Sequence, residues 1–160
     1  MAGHSGGAAI AANVLGRRPQ LIDAALLVSC PCGDVNRWRA DMLRLTGFSV
    51  FKGSIQSLSP IDQINGMNLH VPVVMLTGTD DHVAPLAIAE RYRAAAAKAG
   101  KDVTLIKLPG RPHNTFIYPK VFAVLDAIIR RVQGHGVQNT EGAMTSTTPA
   151  IASLPHLNRR

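Results

Sequence analysis

The sequence predicts an α/β layer fold with a parallel sheet, and two observations carry that reading. Short apolar runs at 23–30, 71–78 and 103–108 suit strands buried on both faces. Helix-like segments fall between and around these runs, so the order is helix, strand, helix, strand, helix, strand, helix. That alternation is what a parallel sheet with crossover helices requires.

Each element has its own warrant. Residues 8–18 are Ala-rich and predict a helix that Gly16 can stop. The run 23–30 is bounded by Pro19 on one side and by Pro31 and Gly33 on the other. Residues 34–46 place Val35, Trp38, Met42, Leu43 and Leu45 at roughly helical spacing, and Gly47 closes the segment. Residues 47–58 read as irregular. In 59–64, Ser59 suits an N-cap and Pro60 the first helical position. Pro85 to Ala99 is a helix with proline at its start and Gly100 past its end. Pro119 to Val132 is amphipathic, with Val121, Phe122, Leu125, Ile128 and Ile129 on one face. From 134 the chain turns Gly-, Ser-, Thr- and Pro-rich without periodicity. It divides as a domain over 1–133 and a disordered tail over 134–160.

Composition narrows the function. A chain of 160 residues suits one domain. The formal charge of +7 is spread along the chain, and aromatics are only 4% of residues, so no basic, aromatic-interleaved stripe points to nucleic acid. No run reaches the ~18 apolar residues of a membrane span. Residues 8–15 lack the basic flank and cleavage site of a signal peptide, and the default compartment is cytoplasmic. Cys30 and Cys32, with a proline between them, read as poorly placed to pair with each other. They are expected to be small residues ending a buried strand, and no spacing suggests a metal site.

Three loops concentrate the chemistry. Gly3, Ser5 and Gly7 match G-x-S-x-G, a pattern that sets a serine on a tight strand-to-helix turn. Asp80, Asp81 and His82 follow the run 71–78, and His113 follows the run 103–108. Each alone has a plain structural reading: a chance glycine pattern, a turn cap, a surface histidine. Together they give serine, aspartate and histidine in chain order, each just past a strand, where parallel sheets collect functional residues.

On these residues the chain resembles the C-terminal half of an α/β-hydrolase, nearest the prolyl-oligopeptidase-like and dienelactone-hydrolase-like serine hydrolases. The stretches that carry the resemblance are GHSGGA (3–8), SPIDQI (59–64), PVVMLTGTDDHVAP (72–85) and VTLIKLPGRPH (103–113). It implies a truncated three-layer fold with about three of the family's strands. It also implies a hydrolase of ester or amide bonds with Ser5 as nucleophile, His113 as base and the Gly6 N–H as an oxyanion donor. Val83 selects Asp80 as the acid; Asp81 is expected to cap the turn or the helix at Pro85 and stands as the alternative acid. His4 is expected to pack beneath the turn, and His82 to line the pocket mouth or face solvent. No cofactor or metal is implied, and the substrate is a small-molecule ester or a peptide.

The strand entering the Ser5 turn is reduced to Met1 and Ala2, and the loop for a second oxyanion donor is absent. A missing N-terminal half is therefore expected, with 23–30 at an exposed sheet edge open to pairing. The alternative function is a non-catalytic, degenerate module that acts through that edge.

Overall fold

The computed structural model describes residues 1–145, with side-chain environments as far as Gly134. Four parallel strands form one sheet in chain order: β1 (Ala2–His4), β2 (Ala25–Val28), β3 (Val73–Gly78) and β4 (Val103–Leu108). Between and after them come the helices α1 (Gly6–Arg17), α2 (Val35–Thr46), α3 (Leu86–Lys98) and α4 (Pro119–Thr145). Among the described residues no helix is long and apolar enough to cross a membrane.

The continuous apolar runs explain the layers. Every residue of β2 is buried, because its alternate side chains serve two cores. Leu27 packs with Met75, with Ala8, Ala11, Ala12 and Leu15 of α1, and with Ala89, Tyr92 and Ala96 of α3. Leu26 and Val28 face the other way, onto Leu76, Leu108 and Val121, flanked by Val124, Leu125 and Ile128 of α4. Burying one such leucine contributes roughly 1.5–3 kcal/mol. The alanines of α1 let that helix lie close to the sheet.

Several expectations need correction. β1 is a fourth strand: Ala2, Gly3 and His4 pair with Leu26, Leu27 and Val28. The edge is therefore β1, and β2 lies inside the sheet. Gly16 does not stop α1, which runs to Arg17. Its role is contact, since a Cβ there would collide with the Gln63 backbone carbonyl. Residues 60–66 form a 3-10 helix. Ser59 does stand at its N-cap position with Pro60 first, but the Ser59 hydroxyl turns elsewhere and accepts the Val35 N–H of α2 at 3.0 Å.

Cys30 and Cys32 are joined in a disulfide, with Cα atoms 5.1 Å apart. Residues two apart on a strand lie roughly 6.6 Å apart and do not pair. Here the chain has already left the strand, turning at Ser29 with φ 46°. The backbone of α4 continues past position 134 to Thr145; the rest of the expected tail, 146–160, lies outside the described residues.

Candidate active site

The loops past the carboxyl ends of the strands meet at one end of the sheet. Ser5 occupies the single-residue turn between β1 and α1, at φ 54° and ψ −122°. That is a left-handed conformation which side chains other than glycine rarely adopt. Neighbours hold it there. The Ser5 N–H donates to the Val28 carbonyl at 2.9 Å, and the Ser5 carbonyl accepts from Ala8 and Ala9 at 3.0 and 3.1 Å. Gly3 is required by close approach: a Cβ there would lie 2.5 Å from the Gly7 carbonyl carbon and oxygen. Gly6 opens α1, so its N–H has no partner within the helix.

His113 comes from the loop after β4. Its Nε2 lies 2.9 Å from Ser5 Oγ, and its Nδ1 lies 3.0 Å from both carboxylate oxygens of Asp81. One tautomer satisfies both contacts: Nδ1–H donates to the carboxylate and Nε2 accepts from the serine hydroxyl. The Asp81 side chain is fully buried and that of His113 is 18% exposed, so this contact is shielded on the acid's side. Burial pushes the Asp81 carboxyl up. The His113 hydrogen bond, the Ala84 N–H, the His113 charge and the Ser29 hydroxyl together outweigh burial and hold it below the ordinary 3.8.

The structure brings Asp81, not Asp80, to His113. The expectation from Val83 was off by one residue, and the turn shows why. The Asp80 N–H donates to the Arg111 carbonyl at 3.1 Å, which pins the backbone with the Asp80 side chain outward. Asp80 Oδ1 accepts the Thr79 hydroxyl at 3.0 Å, and Thr79 in turn accepts the Gly110 N–H at 2.8 Å. Asp81 does cap the turn as expected, its Oδ1 accepting Val83 and Ala84 N–H at 3.0 and 2.7 Å. One carboxylate serves both the turn and the histidine.

His4 packs against the His113 loop. Its ring centroid is 5.0 Å from that of His113 and 4.6 Å from that of Phe116, and its Nε2 lies 3.0 Å from the His113 carbonyl. His82 is exposed and lines a groove between α2 and α3 with Trp38 and Pro85. Sequence reasoning missed Ser29 and Thr115, both fully buried, whose hydroxyls lie 2.9 Å apart behind the triad. The signal was slight: a serine at the end of an apolar run, and a threonine two residues past a singled-out histidine.

No protein-family model matches the chain, and no curated protein matches it. Solved structures do. An esterase of Pyrococcus furiosus is similar with a TM-score of 0.66 and 16% identity, over 81% of this chain and 52% of that one. A puromycin-hydrolyzing peptidase of Mycobacterium tuberculosis gives 0.60 and 18%, over 82% of this chain and 20% of that one. An acylaminoacyl peptidase of Pyrococcus horikoshii gives 0.58 and 15%, over 73% and 20%. The chain thus spans about half the length of the esterase and about a fifth of the peptidases. The parallel sheet, its flanking helices and these likenesses agree: the chain has an α/β-hydrolase-related fold resembling that of these esterase and peptidase structures.

Proposed function

We propose that the chain carries the catalytic half of a serine hydrolase acting on ester or amide bonds. The observation that supports this most is the unbroken line from Ser5 Oγ to His113 Nε2 at 2.9 Å and from His113 Nδ1 to Asp81 at 3.0 Å. We read the strained Ser5 turn as a nucleophile elbow. Ser5 Oγ attacks the carbonyl carbon of the substrate as its proton passes to His113 Nε2. Asp81 keeps the imidazole in the competent tautomer and stabilises the imidazolium. The Gly6 N–H, at the positive end of α1, donates to the oxyanion. The C–O or C–N bond then breaks, and the leaving group takes the proton from Nε2. Water attacks the acyl-serine with His113 again as base, which releases the acid and restores Ser5.

The esterase and the peptidases support small esters and peptides alike as substrates. In this reading the free edge of β1 takes the remaining half of a larger sheet or a second polypeptide. The test is covalent labelling of the chain with a fluorescent fluorophosphonate. Label on Ser5 that vanishes in Ser5→Ala and in His113→Ala is the expected result. A cooperatively melting chain with no label on Ser5 overturns the hydrolase reading and favours a non-catalytic module pairing through β1.

A further inference from the structure

β2 contributes no member of the triad, yet its end is linked to the loops of all three: to Ser5 directly, to the Asp81 turn through β3 and to His113 through Thr115. The Val28–Ser29 peptide group is bonded on both sides: its carbonyl accepts the Ser5 N–H at 2.9 Å, and its N–H donates to the Leu76 carbonyl of β3 at 2.8 Å. β3 leads directly into the turn that carries Asp81. The side chain completes the junction. Ser29 is fully buried, and its φ of 46° aims the hydroxyl behind the triad rather than along the strand. There Ser29 Oγ lies 2.9 Å from Thr115 Oγ1, and the Thr115 N–H donates to the His113 carbonyl at 2.8 Å.

We propose that Ser29 is a positioning residue, whose backbone and hydroxyl hold the Ser5, Asp81 and His113 loops in mutual register. The inference rests on the triad reading above. The Ser29 and Thr115 hydroxyls share one hydrogen bond, and the Ser29 hydroxyl is one of the groups that stabilise the Asp81 anion. The carboxylate accepts from the turn and from His113, and a buried anion with several donors cannot swing away from the imidazole. Fully satisfied buried networks of this kind fix one geometry. Ser29 holds this place in a positive-φ conformation that residues other than glycine rarely adopt. The titratable groups that meet His113 are Asp81 and, from the end of β1, His4.

Ser29→Gly removes the hydroxyl and relieves the backbone, while Thr115→Val removes the other hydroxyl and keeps the shape. The readout is proton NMR of the full chain, following the low-field His113 Nδ1 proton held against Asp81, together with the rate of Ser5 phosphonylation. Both variants are expected to melt cooperatively. Exchange of the Nδ1 proton is expected to quicken about ten-fold, and labelling to slow by about ten-fold, the scale of one lost hydrogen bond. Thr115→Ser is expected to restore both. A purely structural role predicts a lower melting temperature with proton exchange and labelling unchanged, and that result in the two variants overturns the inference. If Ser29→Gly does not fold, Thr115→Val and its serine rescue decide alone. A proton that responds as expected in a chain whose Ser5 is never labelled sinks the hydrolase reading and sustains the role of Ser29.

Discussion

Asp81→Asn is the substitution that separates this site from the one its sequence first suggests. The asparagine Oδ1 still accepts the Val83 and Ala84 N–H groups, so the turn persists. Its Nδ2 then faces His113 Nδ1, where the carboxylate stood 3.0 Å away. Two donors cannot share that contact, so Nδ1 becomes the acceptor and the imidazole proton moves to Nε2. Nε2 now points a proton at Ser5 Oγ and cannot receive one. Loss of the competent tautomer lowers the rate by ~10⁴, or about 5.4 kcal/mol of barrier at 1.36 per decade. Asp80→Asn touches only the Thr79 hydroxyl at the surface and is expected to stay within about three-fold of the parent. The assay is the second-order rate of Ser5 phosphonylation, with melting curves to confirm that both variants fold. An Asp81→Asn rate within ten-fold of the parent, or a larger loss from Asp80→Asn, refutes the reasoning.

Three further outcomes are expected. Gly3→Ala drives a Cβ to 2.5 Å from the rigid backbone of Gly7, so stability falls by roughly 1–3 kcal/mol or more in denaturant titration and labelling of Ser5 is lost with it. Asp81 binds its proton less readily when folded than the ordinary 3.8, so its contribution to stability is fully present above that value and is lost as pH falls through the lower folded value; melting temperature therefore drops below about pH 4, less steeply in Asp81→Asn. Tyr92 is buried, which raises its pKa to about 12, and its hydroxyl donates only to the Met67 sulfur at 3.5 Å. Sulfur is a weak acceptor, so Tyr92→Phe is expected to shift stability by less than ~1 kcal/mol in the same titration, and the parent's tyrosine absorbance is expected to show one late-titrating group.

The sheet was legible because β2, β3 and β4 are specified locally: each is a compact apolar run between turn residues, and the run Val103–Leu108 coincides with its strand at both ends. β1 was not, since Ala-Gly-His has no strand preference of its own and is extended by pairing with Leu26–Val28. Ser5 and His113 stood out because glycine spacing and strand ends mark them. The choice between Asp80 and Asp81 was beyond the sequence, because both follow the same strand and the side chain that turns inward is set by a backbone bond to Arg111, in a different loop. Ser29 was missed and the Cys30–Cys32 pair misread for a common reason. An apolar run gives no sign of where its backbone leaves the strand, and here it does so at a residue with positive φ.

The indole of Trp38, the only tryptophan, donates to the Val83 carbonyl at 2.7 Å, and this gives the protein a built-in optical clock. Trp38 and Val83 are separated by 45 residues, Ser5 and His113 by 108. Closing the longer loop costs more chain entropy, and assemblies of distant contacts form slowly. On refolding from denaturant, the indole emission reports when the middle of the chain has folded α2 against the Asp81 turn. Competence for phosphonylation reports when β1 has reached the sheet and met the far end of the chain. The order expected is emission first and labelling second, so that for an interval the protein holds its acid in place while its serine is still unhoused.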